Sequence, residues 1–172
     1  MKKLCTLVVA ALTAVTMFAS NYEHSIGIVG GLGLGVQYKT MVTPNFTIID
    51  EFGYFTCPNG GTGAYAGAID NLVLAYQAKG TEGQNIQLDW YVGGQFKMGY
   101  SNAFGDAGLL GFGAAVGFEA NMKNAPMAFS FDFRPGYAFQ FTGGGAFGHQ
   151  FDWSFNLGVR YTIPTAQTPK KK

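Results

Sequence analysis

The sequence predicts an all-β fold, an up-and-down antiparallel transmembrane β-barrel of eight strands. Three observations carry this reading. First, large apolar residues alternate with small or polar ones over long runs. In QLDWYVGGQFKMGY (87–100) one set is Leu88, Trp90, Val92, Phe96, Met98 and Tyr100, and the set between is Gln87, Asp89, Tyr91, Gly93, Gln95, Lys97 and Gly99. A period of two is that of a strand, and the run is far longer than the usual strand of about 5 to 6 residues. Second, charged residues make up 12% of the 172-residue chain while aromatics reach 16%; a soluble domain carries about 25% charge. Third, the apolar rows are too long for a small core, and the rows between them hold too little charge for a water-facing surface. Turning the apolar rows toward lipid and the small polar rows toward a narrow lumen resolves both. A sheet in lipid must close, because an open edge leaves backbone groups unpaired in hydrocarbon. Alternating segments of about ten residues with aromatics at both interfaces are the corresponding signature.

The elements follow in order. Lys2 and Lys3, the apolar run Leu4–Phe18 and the small residues Ala19 and Ser20 have the layout of a secretory signal peptide. Its apolar core is shorter than the ~20 residues of a spanning helix. Residues 1–20 are therefore expected to be removed, residues 21–163 to form the barrel, and residues 164–172, ending in Lys170–Lys172, to form a basic periplasmic tail. Cys5 leaves with the signal, so Cys57, placed by its neighbours in a loop, has no internal disulfide partner. From 26, Ile26, Ile28, Leu32, Leu34, Val36 and Tyr38 oppose Gly27, Val29, Gly31, Gly33, Gly35, Gln37 and Lys39. In 45–55, Phe46, Ile48, Phe52 and Tyr54 share a side with Asp50, which implies either a bulge or a position near a rim. In 64–79 the alternation is clean only over Leu72, Leu74 and Tyr76. Segments 110–121, 127–141 and 151–163 alternate as cleanly as 87–100, with Pro135 expected to weaken pairing locally.

Turn-like breaks fall at 42–45, 57–63, 80–84, 101–108, 121–126 and 142–149. These leave seven segments, and single-chain bacterial barrels have an even number of strands. With both ends in the periplasm, counting back makes 142–149, 101–108 and 57–63 outer connections and the other three inner ones. An extra strand at 22–29 with a Gly30-Gly31 hairpin turn completes eight. The alternative is one glycine-kinked strand over 22–42 and a further strand hidden in 58–79.

The inward parity gathers most of the charge: Glu51, Asp89, Lys97, Glu119, Asp132, Arg134, Asp152 and Arg160. An eight-stranded barrel is just filled by side chains, and an unpaired charge there is costly. The set reads as a packed polar plug rather than a conduction path. If the last hairpin is centred near 146, Asp132 faces Arg160; Arg134 is the rival partner for Asp132. Trp90, Tyr100, Trp153 and Tyr161 read as the lipid-facing aromatic girdle. Residues 21–169 hold six basic and ten acidic residues, a net charge of about −4 that does not suggest nucleic acid. His24 and His149 lack partners at ligand spacing, and His149 and Ser154 differ in parity, so the sequence offers no catalytic, cofactor or metal residues.

The run FEANMKNAPMAFSFDFRPGYAFQF…FDWSFNLGVRYTI, with Glu119, Pro126, Asp132–Pro135 and Arg160–Ile163, resembles the last strands of the small outer-membrane barrel proteins of Gram-negative bacteria. GGLGLGVQYK and LDWYVGG are similar to the same family. The resemblance implies an eight-stranded barrel and no agreed activity. Such chains usually end on the aromatic residue of the last strand, whereas PTAQTPKKK follows Ile163 here. The expected protein is thus a monomeric, non-enzymatic barrel of the outer membrane with a structural, surface-contact or adhesion role. Its expected partners are outer-membrane lipid and lipopolysaccharide, the barrel-assembly machinery and a host or surface ligand. Two alternatives stand beside this. Inward glycines (Gly31, Gly33, Gly35, Gly93, Gly111, Gly113, Gly117) could leave a cavity for a small apolar molecule, bound or passed. Alternatively, the chain is a soluble periplasmic calycin-like binding barrel with the apolar set inside.

Overall fold

Eight strands follow one another in the chain and in space: β1 (Tyr22–Gly31), β2 (Gly33–Thr43), β3 (Phe46–Cys57), β4 (Tyr65–Glu82), β5 (Ile86–Ser101), β6 (Ala107–Met122), β7 (Met127–Thr142) and β8 (Phe147–Pro164). The structure is a computed structural model and describes residues 22–57, 65–101, 106–142 and 147–164. Each strand pairs antiparallel with the next, and β1 closes on β8 through pairs such as Ile26↔Tyr161, so the sheet is a closed barrel without edges. Among the described residues there is no helix. The expected signal peptide (1–20), all but the first residue of the expected tail (164–172), and the centres of the three long connections (58–64, 102–105, 143–146) lie outside the described residues.

The register fixes the tilt. From Asp50 one register line runs through Tyr38, Ile26 and Tyr161 to Met127 of β7. The opposite line runs through Leu72, Phe96 and Phe112 to Tyr137 of the same strand. One circuit thus displaces the register by 137 − 127 = 10 residues. A stagger of this kind tilts the strands, typically by about 35–45°, and eight strands leave an interior that side chains can fill.

The first hairpin is present but does not turn at Gly30-Gly31. Gly30 is still paired with Leu34, and the chain reverses around Leu32, whose carbonyl accepts the Thr56 backbone N–H at 2.7 Å. β1 therefore runs past residue 29. Residues 22–42 form two strands, and 65–82 is a single strand with no second strand hidden in it. That strand alternated poorly because its inward set contains Tyr65, Ile69 and Val73, all buried beside the polar Asn71 and Gln77.

Asp50 sits neither at a bulge nor at a rim. Pairing across β2–β3–β4 is unbroken at Asp50, and its register lines put it midway between the levels of Met127 and Tyr137. It faces outward with Phe46, Phe52 and Tyr54. Cys57, expected in a loop, closes β3 and is buried in one cluster with Val29, Phe55, Tyr65, Ile69, Leu109 and Ala138. Pro135, which has no N–H to give, keeps its place beside Trp153 of β8 but interrupts the β6–β7 ladder between Gly113↔Gly136 and Val116↔Phe133.

Candidate functional site: a lumen packed with charge

Alternation along β5 to β8 sends every second side chain inward. Along β5, Gln87, Asp89, Tyr91, Gln95 and Lys97 are buried, while Leu88, Trp90, Val92, Phe96, Met98 and Tyr100 are exposed on the outer wall. The contrast reaches 62% exposure at Leu157 against 1% at Arg160, three residues further along the same strand. Every charged residue assigned to the lumen from parity (Glu51, Asp89, Lys97, Glu119, Asp132, Arg134, Asp152, Arg160) is buried there.

The geometry divides them into linked groups. In the middle, the Arg134 guanidinium donates to both Glu51 oxygens at 2.6 and 2.7 Å and to both Asp132 oxygens at 2.7 and 2.8 Å. Asp132 also accepts from the Tyr91 hydroxyl at 2.6 Å and from Asn156 at 2.9 Å. Gln37 donates to Glu51 and accepts from Arg160 through its own amide oxygen, joining this group to the next. There Arg160 donates to Glu119 and Ser130, and Lys39 donates to Glu119 at 2.6 Å and to Gln77 at 2.5 Å. Toward the turn end of the barrel Asp89 accepts from the amides of Gln87 and Asn121 at 2.9 and 3.0 Å, and more loosely from Gln77. Toward the loop end Lys97 pairs with Asp152, which also accepts from Tyr65 at 2.9 Å. Buried charge is tolerated when geometry and further hydrogen bonds compensate lost hydration, and each carboxylate here has two or more donors.

The expected Asp132–Arg160 pair is not formed. Asp132 lies opposite Asn156, and Arg160 opposite Ala128, so the last hairpin is centred at 144 instead of 146. A shift that preserves parity leaves both residues facing inward but moves Arg160 away from Asp132. Arg134, two residues along β7, takes the place, and Arg160 serves Glu119. Lys39 was left out of the expected lumen charges although its parity placed it there. Gln37, Gln77, Tyr65 and Tyr91 were missed as network members because amides and phenols were not counted as partners for buried charge.

Inward glycines make room for large neighbours. A Cβ on Gly117 would lie 2.6 Å from the Tyr91 ring and 2.7 Å from the Asp132 side chain, and one on Gly33 or Gly35 would strike Phe55. The interior gap bounded by Asn71, Gln95, Lys97 and Arg134 has a volume of about 10 Å³. That is room for roughly one water, and it is lined by the Gln95 amide and the Asn71 oxygen, which have no partner among the described residues.

The aromatic residues form two outward bands. Through the register, Trp90 and Tyr161 lie near the level of Met127–Phe129, at the turn end of β7. Tyr100 and Trp153 lie near the level of Pro135–Phe139, toward the loop end. Tyr76 packs beside Trp90 and Phe46 in the first band, and Tyr137 against Phe151 in the second. Beyond the first band, at the β4–β5 turn, Glu82 bridges Lys79 at 2.7 Å and Lys123 at 2.6 Å. Hydrogen bonds from Lys123 and then Lys79 hold its carboxyl down to about 2.

His149 lies beside Phe139 on the outward side, while Ser154 is contacted by Asn156 from the lumen, so the two do not meet. His24 contacts Tyr38 and Thr40 near the turn end. Comparisons with family models, curated proteins and solved structures gave no match for this chain.

Proposed function

We propose that this chain is an integral β-barrel of the bacterial outer membrane, delivered by a cleaved signal peptide and acting as a structural or surface-contact protein without catalytic activity. One observation carries the reading. The outer wall is apolar and bounded by two aromatic bands, while the charges of the barrel segments are mostly gathered and paired inside. In water this arrangement would leave more than thirty large apolar side chains exposed around a charged interior, the reverse of a soluble domain. In a membrane it is the expected one. The lumen, filled by paired side chains, favours a scaffold over a conduit. Contact with a host or surface ligand falls to the loop end, membrane lipid and lipopolysaccharide meet the wall, and the assembly machinery inserts the chain. The monomer follows from each barrel satisfying its own ladder.

Cell fractionation tests this. The protein should stay with the outer membrane after a urea or carbonate wash, require detergent for release, and migrate differently on gels before and after boiling. Release into the periplasmic fraction without detergent would refute the membrane reading and favour a soluble barrel.

A further inference from the structure

The outer wall carries one feature that a purely structural barrel does not need. Between β3 and β7, toward the loop end, lies a groove of about 600 Å³, walled by Phe52, Met98, Leu110 and Phe141, with Ala68 and Gly108 where a large side chain would fill it. Asp70 lies in this groove. Asp50 is its diagonal neighbour across β3–β4. Both residues share outward parity with Leu72 and Leu74, and Asp50 stands at mid-height of the wall. Among the described residues neither forms an ion pair. All the other carboxylates of the barrel's middle levels point inward onto Arg, Lys or amide donors. Acidic groups inside a membrane characteristically mark a partner or a pathway.

We propose that this groove seats a membrane-spanning segment of a partner protein that brings a Lys or Arg side chain to the Asp50–Asp70 pair. The inference rests on the membrane reading, because only in lipid do two outward carboxylates demand a cation. Charge complementarity selects the occupant. Lipid tails fill a groove but offer no cation, and a second copy of this wall would bring two more carboxylates with it. Small residues at Ala68 and Gly108 let a foreign backbone approach closely, as they do at packed membrane helices, and the walls supply apolar contact along its length.

The test uses the barrel reconstituted in phosphatidylcholine vesicles and a Leu/Ala-rich transmembrane peptide carrying one central Lys, with association read by energy transfer. The peptide with Leu in place of Lys is the control. Expected is association of the Lys peptide with the wild-type barrel, weakened about tenfold or more by the Leu control, by Asp50→Asn with Asp70→Asn, and by the groove-filling Ala68→Phe. The two kinds of barrel variant separate loss of charge from loss of the groove, and both change outward positions. Equal association of the two peptides, or of wild-type and variant barrels, would overturn the proposal. So would barrel–barrel energy transfer abolished by the same substitutions, which would make a second copy the occupant. A barrel that fails to insert, read first by resistance to protease outside the vesicles, would overturn the membrane reading and this proposal together. Insertion without carboxylate-dependent capture overturns this proposal alone.

Discussion

Asp132 decides how the lumen is wired. It receives two hydrogen bonds from Arg134, at 2.7 and 2.8 Å, and none from Arg160, which instead serves Glu119, Gln37 and Ser130. All three residues are about 1% exposed. Removing one member of a buried pair leaves a charge without compensation and costs roughly 3–5 kcal/mol. Asp132→Asn, Arg134→Met and Arg160→Met should therefore each destabilise the barrel by that order. The pairwise couplings should differ. Asp132→Asn with Arg134→Met should lose less than the sum of the singles, with a coupling of about 1–3 kcal/mol. Part of the cost survives in the double variant, because Glu51 also loses Arg134. Asp132→Asn with Arg160→Met should be additive within about 0.5 kcal/mol. Urea unfolding in lipid vesicles, followed by gel mobility of unboiled samples, measures both cycles. A larger coupling for Arg160 than for Arg134 would refute this wiring and restore a hairpin centred near 146.

Further outcomes follow from the same structure. Gly117→Leu drives a side chain into Tyr91 and Asp132 and should cost about 1–3 kcal/mol, whereas Gly94→Ala, with its nearest neighbour 3.9 Å away, should be close to neutral; equal losses by urea unfolding would contradict a filled lumen. Val92→Arg and Leu157→Arg place a charge on the outer wall and should cost roughly 2–4 kcal/mol in vesicles, and no loss at either position would count against a lipid-facing wall. For Glu82 the folded carboxyl lies near 2, below its usual value. Its stabilising contribution is thus full above that usual value and lost as pH falls toward 2. The stability difference between wild type and Glu82→Gln should shrink in that acid range, and a difference that grows there would contradict the Lys79–Glu82–Lys123 clamp.

The strands and their facing were legible because parity is a local property: one residue in two must point inward, and burial selects the small or polar set. Leu88 to Tyr100 showed this without help. Tyr65 to Glu82 did not, because its inward row is itself partly apolar, so the period of two carried no contrast. Register was less legible than facing. The centre of the β7–β8 hairpin depends on how the 142–149 connection turns, and a displacement by two residues leaves every side chain on its correct face while exchanging all the partners. That is why the lumen set could be read but the Asp132–Arg160 pair could not. Gly30-Gly31 looked like a turn because paired glycines favour one, yet the pairing Gly30↔Leu34 carries the strand past it. Asp50 was visible as an anomaly in an apolar row; its neighbour Asp70 was not, since the two are joined only across the β3–β4 register.

The chain contains two tryptophans, Trp90 and Trp153, and both stand on the outer wall, one in each aromatic band. Their fluorescence in vesicles made with brominated lipids tests the inside-out assignment most directly. Both should be quenched strongly, and more by bromines near the headgroups than by bromines at the chain ends, with Trp90→Phe and Trp153→Phe each leaving one shallow, quenchable residue. Emission unaffected by brominated lipid in the folded protein would place the tryptophans away from the bilayer and contradict the membrane barrel.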